Sequence, residues 1–394
     1  MINHKLGELV KSNNDEMIAF RRDLHQHPEL PLEEVRTTQR IAEALDKIGI
    51  NYRLTTPTGI IAEIKGSKPG KTVLLRADID ALPVVELNNN IDYKSTIDGK
   101  MHACGHDSHA AMLLTAAKAL YQIRDELEGN VRFVFQPAEE LAKGAKLMIK
   151  QGVMENVDNV FGLHIWSQTP INKISCNVGA TFAAADLLKI TFKGQGGHGS
   201  MPQDTIDAAI IASAFVMNVQ SIVSREVDPL EPAVVTIGKM DVGTRFNVIA
   251  ENAVLEGTVR TFNIATRNKI EAAIKRYADQ IAATYRGTAE VEYNYGTLPV
   301  INEANSAQLA QSVISEAFGE SALYVERPTT GAEDFCYYLE NAPGAYALLG
   351  CGNPDKDTQW AHHHGCFNID EDAMVKGAEL LAQYAWRYLQ QNAF

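Results

Sequence analysis

Phe133-Val134-Phe135-Gln136-Pro137-Ala138-Glu139-Glu140 is an apolar run that ends in two adjacent acids. Such a run, here Val131–Phe135, fills a buried strand, and the acids put chemistry at its exit. The design recurs. Thr72-Val73-Leu74-Leu75 leads to Asp78 and Asp80, and Val160–Leu163 leads to His164. Between these strands, apolar spacing predicts helices at 107–124 and 139–151. Strands alternating with helices give an α/β fold, a mostly parallel mixed sheet flanked by helices. Upstream, residues 5–24 and 33–48 have helical spacing, with His25-Gln26-His27-Pro28 as the break between them. A strand around Gly59–Ile64 precedes the turn Ser67-Lys68-Pro69-Gly70.

Past about residue 180 the pattern changes. Leu187–Phe192 reads as a strand, Gly194-Gln195-Gly196-Gly197 as a turn and 205–224 as a helix. Strands near 233–238 and 253–261, a helix at 266–285 and a strand around 289–295 follow. This β-α-β-β-α-β order belongs to a split, ferredoxin-like α+β sandwich. The chain therefore divides into a first domain, residues 1–183 and 298–394, and an inserted domain, 184–297. Two domains are expected at 394 residues, because a single core seldom keeps growing to that length.

The composition, 45% hydrophobic and 22% charged, excludes disordered and fibrous classes. A formal net charge of -13 argues against nucleic acid as a partner, since phosphate contacts need clustered Lys and Arg. Five widely spaced cysteines make a poor disulfide framework and fit a reducing cytosol. The opening MINHKLGELVKSNNDEMIAF lacks the basic start and apolar stretch of a signal peptide. No run approaches the roughly 20 apolar residues of a membrane span. The expectation is a cytoplasmic protein with no membrane association.

Four clusters carry metal-capable side chains. In Met101-His102-Ala103-Cys104-Gly105-His106-Asp107, the cysteine and His106 stand two positions apart and project to one side of an extended approach. A thiolate and an imidazole suit Zn²⁺ or a similar first-row ion. Glu139 and Glu140 are neighbours that cannot point the same way, so one can bind metal while the other reaches water. His164 follows a strand, and His362-His363-His364 lies near the C-terminus. Each cluster alone has a structural explanation: a buried cysteine, acids at a helix N-terminus, a solvated histidine. Together they point to a metal site, because ligands of open α/β sheets gather outside the carboxyl edge.

Six motifs run in order along the chain: Arg21-Arg22-Asp23-Leu24-His25-Gln26-His27-Pro28-Glu29-Leu30, Arg76–Pro83, His102–Asp107, Gln136–Glu140, Gly197-His198-Gly199-Ser200 and Gly331-Ala332-Glu333-Asp334-Phe335. With them the chain resembles, end to end, the aminoacylase and hippurate hydrolase family of metal-dependent amidohydrolases. The resemblance implies a zinc-peptidase-like catalytic domain and an inserted lid that also pairs subunits into a homo-oligomer. It implies two divalent ions per subunit, Mn²⁺ first and Zn²⁺ second. Cys104 would join both ions, with His106, Glu140, His164 and His363 completing the set. His363 is the member of the triple that stands four residues before an aromatic, Phe367. Where the family usually has Pro two residues after that ligand, this chain has Gly365.

By the same resemblance, Glu139 matches the general base and His198 a lid histidine that stabilises the reacting carbonyl. Asn247 matches a lid residue near the substrate carboxylate. Asp80 matches an acid that supports a metal-site residue, whereas Asp78 stands where related dinuclear peptidases carry a ligand histidine. Glu333 and Asp334 either brace the site or face the substrate, or else decorate a helix beginning near Ala332. Arg260 is either a solvated strand residue or a carboxylate contact. The implied substrate is a small N-acyl amino acid, N-acetyl or benzoyl for example, cleaved at its amide by metal-activated water. The alternative is a dipeptidase or aminopeptidase acting on unacylated peptides, since the sequence does not decide between an acyl group and a free amine.

Overall fold

Residues 2–392 are described by a computed structural model. The chain forms two compact units. The first takes in the chain up to Gly179, Ile301–Arg327 and the chain from Asp334 onward; the second is Ala180–Val300 with Pro328–Glu333.

In the first unit seven strands form one sheet, in the spatial order Asn51–Leu54, Ile60–Lys65, Glu128–Gln136, Lys68–Asp78, Asn159–Pro170, Gly344–Gly352 and Ile174–Ser175. The four central strands run parallel, and the edge strands pair antiparallel. The burial explains the parallel centre. Gly344–Gly352 is buried throughout, as are the last seven residues of Lys68–Asp78, which is what a sheet covered on both faces requires. Helices His106–Gln122 and Ala373–Gln391 pack on each other and on Lys68–Asp78. The register sets Asp78 opposite Gln136 and Leu348 opposite His164. The strand exits therefore share one edge.

Two helices differ from the sequence expectation. Residues 5–24 are not one helix, because Asn13 separates Ile2–Ser12 from Asn14–Gln26. The helix expected over 139–151 covers only Gly144–Lys150. Ahead of it the backbone turns twice through left-handed residues, Ala138 (φ 53°) and Ala142 (φ 52°). The turn is too tight for a side chain at Gly144, where a Cβ would lie 1.6 Å from the Pro137 carbonyl oxygen.

The second unit is a four-stranded antiparallel sheet in the order Ala233–Val242, Asn252–Thr261, Ala184–Lys193, Thr288–Thr297. Helices Ala208–Ser221 and Ile264–Thr284 pack on it, giving the ferredoxin-like arrangement. Ala184–Lys193 alternates inward and outward residues, as a sheet covered on one face should. Ala208–Glu226, overlapping the helix expected at 205–224, is long and apolar enough to cross a membrane, contrary to the expectation that no run approaches that length. Here Ile211, Phe215, Val219 and Ile222 are buried in this unit's own core, while Ile210 and Met217 are exposed.

Candidate metal centre

Gly105 caps helix His106–Gln122 in the left-handed conformation (φ 92°), and a Cβ there would meet Ile165 Cγ2 at 2.5 Å. This glycine turn, rather than an extended approach, aims Cys104 and His106 at the same point. The sulfur of Cys104, a ring nitrogen of His106 and a carboxylate oxygen of Glu140 lie within 4.8 Å of one another. Asp80 Oδ1 lies 3.2 Å from His106 Nδ1, so Nδ1–H donates to it and Nε2 faces inward. That Nε2 is buried without a hydrogen-bond partner. It lies 4.0 Å from Glu139 Oε2 and 4.0 Å from Glu140 Oε1.

The two glutamates sit on the tight turn after strand Glu128–Gln136. Left-handed backbone at Ala138 costs a non-glycine residue on the order of 1 kcal/mol, and neighbouring groups hold it there. Its N–H donates to Glu34 Oε1 at 2.9 Å, and its carbonyl accepts from Gly144 N–H at 3.1 Å. The Glu140 N–H donates to Asp80 Oδ2 at 3.0 Å, so Asp80 fixes both His106 and the Glu140 backbone. Glu140 Oε1 is buried without a hydrogen-bond partner, 3.3 Å from His363 Nε2.

His164 donates Nδ1–H to the Ile165 carbonyl at 2.6 Å and turns Nε2 toward Cys104 Sγ at 3.4 Å. The histidine triple divides. His363 has left-handed backbone (φ 68°), and its N–H donates to the Ala103 carbonyl at 2.8 Å. His362 also reaches the cluster, with Nδ1 3.7 Å from Cys104 Sγ, but its Nε2 accepts from Ser167 N–H at 3.3 Å. In the neutral ring that acceptor bond leaves the proton on Nδ1, which makes His362 a donor to the sulfur. His364 Nδ1 accepts from Cys366 N–H, and its ring stacks on Trp360 at 4.5 Å.

The electrostatics describe a cage short of positive charge. Burial pushes the Cys104 thiol well above its ordinary range, and Glu140, Glu139 and Asp78 push it further. Burial opposes protonation of His106, but Asp78, Asp80 and Glu140 outweigh it and lift the imidazole to about 10. Burial, with His109 and His362, holds His164 well below its usual value, as a neutral imidazole. A divalent cation would compensate these acids and allow the thiolate to form. By displacing the proton that these acids hold on His106, the cation would take the ring's buried Nε2 and Glu140 Oε1 as donors, and sulfur, nitrogen and oxygen donors suit Zn²⁺ or Mn²⁺.

Several supporting residues escaped the sequence reading. His109 Nδ1 meets Asp78 Oδ1 at 2.5 Å, and its Nε2 accepts from Ile165 N–H at 2.9 Å. The i, i+3 spacing from His106 was the available signal for it. Asp78 also pairs with buried Arg76 at 2.6 Å. Asp334 does not begin a helix: it is buried and accepts from Arg76, Gln136 and the Ala145 N–H. The Arg21–Leu30 motif anchors the residue beside His106, since Arg21 Nε and His25 Nδ1 both lie 2.8 Å from Asp107 Oδ2.

The second unit holds the other two sequence-selected residues. His198 lies on a two-residue strand paired with Val248–Ile249, directly opposite Val248. Its Nδ1 accepts from Ser200 N–H at 3.1 Å, which leaves the proton on an exposed Nε2. Asn247 is exposed one residue before Val248, and its carbonyl accepts from Gly199 N–H at 2.9 Å. Arg260 contacts Thr258 and the Val259 carbonyl of its own strand.

Residues 74–387 match Peptidase family M20/M25/M40. N-acetyl-L-cysteine deacetylase of Bacillus subtilis is 40% identical over 96% of this chain and 89% of its own length. Thermostable carboxypeptidase 1 of Saccharolobus solfataricus is 39% identical over 95% of both chains. The crystal structure of Bacillus subtilis YXEP, a dinuclear metal binding peptidase from the M20 family, superposes with a TM-score of 0.85 at 35% identity, covering 96% of this chain and 99% of that one. On a match over most of its length and relatives at this identity, the chain belongs to peptidase family M20/M25/M40 and is a metal-dependent amidohydrolase.

Proposed function

We propose that this protein hydrolyses the amide bond of small N-acyl amino acids, giving a carboxylic acid and a free amino acid. The observation that carries the reading is the division of labour at the Pro137–Ala142 turn. Both glutamates stand 4.0 Å from His106 Nε2, but Glu140 is the one that joins the donor group of Cys104 and His106 and reaches His363 Nε2 at 3.3 Å, which leaves Glu139 beside that group with its side chain nearly buried. Cys104, His106, Glu140, His164 and His363 would hold two divalent ions, Mn²⁺ ahead of Zn²⁺. Bound divalent ions supply carbonyl polarisation and bring the acidity of water near neutrality.

The remaining steps belong to the protein's own groups. Glu139 takes the proton of the water that attacks the amide carbonyl and returns it to the leaving amine. His198 offers Nε2–H to the developing oxyanion, and Asn247 offers its amide to the substrate carboxylate. With a net charge of -13, the chain as a whole provides no positive field for that carboxylate, so a local donor is needed. The second unit acts as lid and pairing surface, a role supported by exposed Ile210 and Met217 on helix Ala208–Ser221. A cytoplasmic setting agrees with five free cysteines.

The similarity to a carboxypeptidase supports a second reading, a peptidase that cleaves unacylated peptides at the bond to the C-terminal amino acid. Both readings place the scissile amide beside an amino acid. Acetyl and benzoyl derivatives of one amino acid, and a free-amine dipeptide with the same amino acid at its C-terminal end, assayed with Mn²⁺, separate them. Turnover of an acylated form at least about tenfold above the free amine is expected, a discrimination of the size binding contacts supply. Preference for the free amine would establish the peptidase instead.

A further inference from the structure

Glu34 is the N-cap residue of helix Val35–Ile48, a position where an acid ordinarily accepts the first free N–H groups. Here it makes no cap hydrogen bond. Glu29 does that work, accepting Arg36 N–H at 2.9 Å and Thr37 N–H at 2.7 Å. The Glu34 carboxylate is buried and turned elsewhere. Its Oε2 accepts from Thr58 Oγ1 at 2.6 Å and its Oε1 from Ala138 N–H at 2.9 Å.

Ala138 is fully buried and left-handed, and it is the residue immediately before Glu139. Its carbonyl is fastened to Gly144 N–H, so Glu34 supplies the other half of the clamp. Without an acceptor at that point, Ala138 N–H would be buried unpaired, and the backbone could relieve both faults by leaving the left-handed region. Relaxation there would swing the next side chain.

We infer that Glu34 is a positioning residue, whose carboxylate oxygen holds Ala138 so that Glu139 is aimed at the reacting water. The inference rests on Glu139 being the base. It requires reach and an acceptor oxygen, not charge. Two variants separate these properties. Glu34→Gln keeps the length and the oxygen while losing the charge; Glu34→Asp keeps the charge but is one methylene short of Ala138 N–H.

In the metal-loaded enzyme, Glu34→Asp should lower kcat on the order of 10²-fold, the cost of a small misplacement of a reacting group. KM and metal content should stay within about twofold, and Glu34→Gln should return kcat to within about threefold of the parent. Hydrogen exchange at the Ala138 amide gives a readout independent of catalysis, with protection lost in Glu34→Asp and kept in Glu34→Gln. Parental kcat in Glu34→Asp, or equal losses in both variants, would overturn the inference. A kcat loss in Glu34→Asp with Ala138 still protected would overturn it as well. Full activity in Glu139→Gln would instead refute the assignment of the base, which the exchange experiment does not touch.

Discussion

Cys104 and His106 stand two positions apart in the sequence and serve one centre, but the geometry that joins them is a left-handed glycine turn. Residue types and spacing were readable; the turn was not, because Ile165 forbids a side chain at Gly105 only once the strand lies against it. Glu34 was hidden for a similar reason. Glu34 meets Ala138 from 104 positions away, and no local pattern marks such a contact. The triple is where residue chemistry makes a sharp prediction. His362 has its acceptor nitrogen occupied by Ser167 N–H, while His363 presents Nε2 to Glu140. His363→Ala should therefore lower the metal content of dialysed protein from two ions per chain toward one, measured by plasma mass spectrometry. His362→Ala should retain both. The opposite pattern would transfer the ligand role to His362.

Among the elements, the strands were the most legible. Val131–Phe135, Arg132 apart, and Thr72–Leu75 are largely apolar because those side chains are buried, and the sheet places the two strands side by side. The helix beginning at Gly144 was misjudged by five residues. Acidic and apolar positions over 139–151 fit a helix locally, but tertiary contacts impose two left-handed residues on that stretch. Gly144 is where the tightness of the turn can be tested. A methyl group 1.6 Å from the Pro137 oxygen has no room, so the backbone must shift. Gly144→Ala should destabilise the first unit by about 3 kcal/mol, at the upper end of ordinary overpacking. Urea unfolding checks it, and a change under about 0.5 kcal/mol, typical of an unconstrained surface site, would show that the turn is slack.

Across the whole molecule, the two units divide the proposed work. The first collects the donor atoms and Glu139 at one edge of a parallel sheet, as open α/β folds do. The second pairs His198 with Val248, the residue after Asn247, inside a ferredoxin-like fold. The order of elements in the second unit was legible from strand and helix spacing, but the inclusion of Pro328–Glu333 was not, since that segment joins through a bridge from Thr329 to Phe182. The central claim is that donors and base are separate residues, Glu140 among the former and Glu139 the latter. Turnover of an N-acyl amino acid by Glu139→Gln, with metal content determined on the same sample, tests it most directly. The account predicts two ions per chain and a kcat reduced by about 10²–10⁴-fold, the range of general acid–base catalysis. Parental turnover with both ions bound would contradict it.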